Sequence, residues 1–186
     1  MAVLDLPLGW MVWAGVLAVL GLWVLGAYNR TTALKAAVLA GWATLDAALQ
    51  DRAQAVSALL QATADPLATE VAARDAVAQA LAQAQAAADV VRRAPASADP
   101  VADLGKADAV LAAVLVRLVA LVEQQPALLA DPTVAEPMQV LKASPGRMAF
   151  ARQVFNEAGA AYNAATAQFP TRLLGSLLRF GRAGRF

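Results

Sequence analysis

The sequence predicts an all-α protein in which an N-terminal transmembrane helix continues into an antiparallel up-down four-helix bundle. Three observations predict it. Residues 9–27 carry no charge. The segments that follow repeat apolar side chains in steps of three and four, and proline-bearing breaks divide them into lengths that suit bundle helices. The expected division is a short extracytoplasmic N-terminus over 1–8, a transmembrane helix over 9–27, a helical body over 28–168 and a basic amphipathic tail over 169–186.

At ~1.5 Å per residue the 9–27 run makes a helix roughly 28 Å long, close to the ~30 Å hydrocarbon core of a bilayer. Trp10 and Trp13 at one end, and Trp23 and Tyr28 at the other, stand where amphipathic rings favour the headgroup level. The competing reading, a buried core helix, does not account for this double aromatic belt. Only Asp5 precedes the run, whereas Arg30 and Lys35 follow it. Basic flanks stay cytoplasmic, so the N-terminus is expected outside and the body inside. A cleaved signal peptide would need a basic leader, and residues 1–8 hold no Lys or Arg.

From Tyr28 to about Ala64 no proline interrupts the chain. Val38, Trp42, Leu45, Leu49, Val56 and Leu59 follow an a/d heptad seam, with one gap at Arg52. Asp65-Pro66 ends this helix, because the residue before a proline leaves the α region. A second helix is expected over Leu67 to Arg93, rich in alanine, which favours helix but buries little area. Ala94 to Pro100 reads as a linker. The third helix, Val101 to Gln125, carries Leu104, Leu111, Leu115, Leu118 and Val122 on one stripe. Pro126, Pro132, Pro137 and Pro145 then predict at most a short helix around Met138 to Lys142. The last long helix is expected from near Pro145 to Gln168, with Met148, Phe155, Tyr162 and Phe169 at heptad intervals.

The composition is 60% hydrophobic, with a formal net charge of +1 and neither cysteine nor histidine. Disulfides, thiolate metal sites and a cysteine nucleophile are excluded, and the commonest general base is missing. No catalytic, cofactor-binding or metal-ligating set is predicted.

Taken in order, Tyr28-Asn29, Ala40-Gly41-Trp42, Leu45-Asp46, Leu49, Arg52, Val56, Leu59-Leu60, Leu118, Glu123, Pro126, Arg152, Phe155-Asn156, Tyr162-Asn163, Phe169-Pro170, Phe180 and Phe186 make the chain resemble the LemA family of bacterial single-pass membrane proteins. The resemblance covers nearly the whole chain. It implies an N-terminal anchor in the bacterial inner (cytoplasmic) membrane, a cytoplasmic antiparallel bundle, no established enzyme activity and a scaffold role. Some relatives are linked to specialised internal membranes. Ser57 and Ser144-Pro145 depart from the family pattern, and the latter predicts a shorter or kinked fourth helix.

Asp46, Arg52, Glu123 and Arg152 are the charged members of the ordered set. Arg52 and Arg152 occupy a/d positions, where a charge is costly unless paired, so each is expected to meet an acid on another helix, with Asp46 and Glu123 as leading candidates. The alternative is an active carboxylate pair, for which no nucleophile, base or phosphate loop is in sight. Asn29, Asn156 and Asn163 complete a structural polar seam, since a polar residue in a seam fixes register.

The tail bears Arg172, Arg179, Arg182 and Arg185 without an acid, interleaved with leucine and phenylalanine. This pattern suits an interfacial helix on an anionic leaflet, or else an amphipathic cap under the bundle. The body is slightly acidic, which disfavours nucleic acid. The expected partners are membrane lipids and either a second copy, through alanine-rich faces, or an unidentified membrane protein. The predicted function is a non-enzymatic scaffold organising the inner face of the membrane; the alternative is a regulatory docking module for a membrane enzyme or protease.

Overall fold

No proline interrupts residues 8–62, and they form a single helix, α1 (Leu8–Ala62), about 80 Å long. The structure is a computed structural model and describes residues 8–168 and 182–186. α1 stops just before Asp65-Pro66, where the buried Thr63 hydroxyl donates to the Leu59 carbonyl at 2.6 Å. Arg74 then reaches back from α2 (Val71–Arg93) to donate from Nη1 to the Ala64 carbonyl at 3.1 Å. A cation at a helix C-terminus is favoured by the exposed carbonyls there. α2 begins later than the expected Leu67 because residues 63–70 form turns, with Leu67 buried beneath them.

α3 (Ala98–Glu123) starts inside the expected linker, since Pro100 falls in its first turn, where no internal N–H bond is lost. The short α4 (Pro126–Leu129) leads to α5 (Pro132–Ala167), which corrects the reading of this region as broken. α5 passes through both Pro137 and Pro145. Its start is fixed by Asp131, whose carboxylate accepts from the Thr133 N–H at 2.9 Å, with Pro132 in the first turn. At Pro145 the missing N–H would leave the Leu141 carbonyl unpaired, and the buried Ser144 hydroxyl donates to that carbonyl at 2.9 Å instead. The residue that departs from the family pattern is thus the one that supports the proline beside it.

All elements among the described residues are helical. α1 packs most extensively on α5, and α2 on α3. α1 runs antiparallel to both α5 and α2: Gly41 lies on Phe155 while Asp51 meets Arg147, and Asp46 meets Arg92 while Leu60 meets Arg74. A Cβ on Gly41 would stand 3.1 Å from the Phe155 Cα, so glycine is what lets the backbones of α1 and α5 come together. Trp42 and Phe155 fill the space beside them edge to face, with centroids 6.1 Å apart.

The seam of α1 is buried throughout, at Val38, Trp42, Leu45, Leu49, Arg52, Val56 and Leu59. These side chains feed two apolar cores. One contains Val56, Leu59, Leu81, Leu111, Leu118 and Met138; the other contains Val38, Trp42, Leu45, Val101, Leu104 and Phe155. Packing on α1 begins at the buried Thr31. Before it, from Gly9, the same helix is long and apolar enough to cross a membrane, and most of its side chains are exposed. Trp10, Trp13, Trp23 and Tyr28 are all exposed on this half, with about 27 Å between the first and the last along the axis.

Candidate functional site

Between the two cores lies a polar layer. Leu49 and Ala55 flank Arg52 on α1, and Leu104 and Leu111 flank Asp108 on α3, so both charges sit in slots that the apolar stripes leave open. Arg52 Nη2 forms an ion pair with Asp108 Oδ1. Arg152 Nη2 on α5 donates to Asp108 Oδ2 at 3.4 Å. One buried carboxylate therefore serves two guanidinium groups from two other helices. Burial lowers the Arg52 pKa, and the neighbouring Arg152 cation lowers it further. Arg52 Nε has no acceptor among the described residues.

Asp46 and Glu123 are not the partners of these arginines. Asp46 accepts from Arg92 Nε at 2.9 Å and from Gln50 at 2.7 Å, and Glu123 pairs with Lys142 at 2.8 Å, both nearer the surface. Asp108 is the acid that the sequence reading passed over. Its signal was the missing member of the Leu104-to-Leu111 step, the same kind of gap that had marked Arg52.

The asparagines divide likewise. Asn29 is exposed, two residues before packing starts, and lies outside the seam. Asn156 and Asn163 sit two turns apart on α5 and grip segment 182–186. Asn163 Nδ2 donates to the Ala183 carbonyl at 3.0 Å while its Oδ1 accepts from the Ala183 N–H at 2.8 Å. Asn156 makes the same pair of hydrogen bonds with Phe186, Nδ2 donating to its backbone oxygen and Oδ1 accepting from its N–H, both at 2.8 Å. Seven residues of helix advance ~10.5 Å, so the three residue steps from Ala183 to Phe186 must be extended to match them. This corrects the helical reading of the tail at Arg182 and Arg185, because the backbone groups a helix would use internally are bonded to the asparagines. Arg182 and Arg185 are exposed in this segment. Arg172 and Arg179, with the rest of the predicted tail helix, lie outside the described residues.

Segment 182–186 also closes on α3. Gly184 is buried, and a Cβ there would meet Val101 Cβ at 2.7 Å and Ala98 Cα at 3.0 Å. A Cβ on Gly159 would meet the Gly184 carbonyl oxygen at 3.2 Å. The Arg152 guanidinium, already bonded to Asp108, stacks over the Phe186 ring at 4.9 Å from its centroid. The clamp and the ion layer are thereby joined through one arginine.

This whole arrangement, from Gly41 on α1 to Phe186, falls within the match to a single family profile, the LemA family, over residues 41–186. The chain belongs to the LemA family. No curated protein matches it at a significant level. The LemA match begins where α1 packs on α5, and it takes in Arg52, Asp108, Arg152, both clamping asparagines and the clamped segment. In this LemA chain the charged residues of the layer pair with one another, and the two asparagines bond to the backbone of Ala183 and Phe186. Among the described residues no group of acids is arranged to hold a metal ion. Beside the layer, an apolar groove of about 550 Å³ opens between α3 and α5, lined by Leu115, Val119, Leu141 and Met148 and bordered by Glu123 and Lys142.

Proposed function

We propose that the chain is a non-enzymatic, membrane-anchored helical scaffold at the inner face of the bacterial cytoplasmic membrane, acting through association of copies and contact with anionic lipid. The observation that carries this reading is the continuity of α1. Its exposed apolar half and its packed half are one uninterrupted helix, so whatever holds the first half positions the body directly. Arg30 and Lys35 directly after the apolar run favour a cytoplasmic body. The exposed Arg182 and Arg185 add basic charge near the α5 end, which returns towards the start of packing on α1. Anionic headgroups attract such side chains.

The α3–α5 groove supports a second reading, a docking module for a membrane enzyme or protease, since an open apolar groove with charged borders suits a partner segment. Crosslinking of the intact chain in cells, followed by mass spectrometry, separates the two. The scaffold reading predicts adducts of the chain with itself. One dominant foreign adduct without self-adducts contradicts it and favours docking.

A further inference from the structure

The asparagine clamp has the properties of a peptide-binding site whose ligand is covalently attached. Its recognition is largely of backbone: two carboxamides, each with a donor and an acceptor side by side, bond both backbone groups of Ala183 and of Phe186. Side-chain selection is added at two positions. Gly184 leaves no room for a Cβ against Ala98 and Val101, and the ring of Phe186 lies under Arg152. The fit defines an extended Ala-Gly-x-Phe segment, with the exposed Arg185 at the unselected position.

Nothing in these contacts requires the segment to come from the same copy. Gln168 stands only about 8 Å beyond Asn163 along α5. The covalent span from Gln168 to Arg182 can reach at most roughly 46–50 Å. That upper bound exceeds the return to Asn163, so chain length leaves a neighbour's cleft within reach, which is a condition for exchange of an identical element between copies.

We propose that the cleft between α5 and the first turns of α3 is a recognition site for an extended Ala-Gly-x-Phe segment, and that segment 182–186 of one copy fills the cleft of another, linking copies by exchange. The recognition site stands on the geometry alone; exchange rests on the scaffold reading and gives it a contact.

Two measurements on the full chain in detergent test this. In the first, Gly184→Val unseats the chain's own segment, and a fluorescent peptide spanning residues 180–186 is added. Saturable binding is expected, weakened at least tenfold when the peptide itself carries Gly184→Val or when the chain also carries Asn156→Ala and Asn163→Ala. Absence of saturable binding, or equal binding of the two peptides, overturns the recognition site.

The second measurement leaves the segment's backbone contacts intact, so it holds even where Gly184→Val destabilises the body. The chain has no native cysteine. Ala160→Cys in one tagged copy and Arg185→Cys in a differently tagged copy place thiols around the same cavity. A short bis-maleimide is expected to join the two tags, and to stop doing so when the Ala160→Cys copy also carries Asn156→Ala and Asn163→Ala. Crosslinks that form within a doubly substituted copy but never between copies overturn exchange, without touching the membrane anchor.

Discussion

Arg52→Ala strands a carboxylate that is almost wholly buried, leaving Asp108, among the described residues, with the longer contact to Arg152. Removing one partner of a buried pair costs about 3–5 kcal/mol, so a large fall in the denaturation midpoint is expected. Replacing the pair by Arg52→Met with Asp108→Leu removes both charges and should recover much of that loss. A double-mutant cycle with a coupling near zero would show that the two groups do not depend on each other. Half of this pair was legible in the sequence: Arg52 interrupts a perfect seam, and a charge in such a slot needs a partner. Asp108 interrupts the α3 stripe in the same way. Choosing it over Asp46 and Glu123 required knowing which levels of α1 and α3 face each other, and helical periodicity fixes a face but not a register between chain-distant helices. The asparagines were legible as polar members of α5. Their partner was not, because a bond to backbone leaves no trace in side-chain pattern.

At the scale of elements, α1 and α5 depend on close approach at one glycine. Gly41→Val forces a whole isopropyl group towards the Phe155 backbone and should cost about 1–3 kcal/mol in thermal or chemical unfolding, as overpacking does. Gly105→Ala on α3 meets nothing within 4 Å and should instead gain up to ~1 kcal/mol from helix propensity. Equal effects from the two would contradict the packing. The start of α5 carries a pH dependence. Hydrogen bonds from the Thr133 N–H and hydroxyl hold the Asp131 carboxyl below its ordinary pKa. A depressed folded pKa contributes stability that is present above the unfolded value and lost as pH falls through the folded one. Asp131→Asn keeps a capping side chain without that titration, so wild type should lose stability relative to the variant on acidification, checked by melts across pH 2–6. Proline misled the sequence reading of this same helix. Pro137 and Pro145 are breakers by local chemistry, yet a hydroxyl at Ser144 and a buried face including Val134, Met138 and Met148 carry the helix through.

For the molecule as a whole, composition and periodicity were enough to give the fold class, because an uncharged run and heptad-spaced stripes are properties of local sequence. What joins them, one helix shared between an exposed apolar half and a packed half, is the central claim about how this LemA chain works. A cysteine-free sequence allows it to be tested directly. Single cysteines placed in turn at Leu17, Leu20, Ala36 and Ala43 are exposed on the isolated chain, so any difference among them in intact membranes comes from the surroundings. With membrane vesicles opened to give a water-soluble maleimide access to both faces, the first two should be blocked until detergent is added, and the last two should react from the start. Equal labelling of Leu17→Cys and Ala43→Cys before detergent would contradict the account, since the first half of α1 would then lie in water.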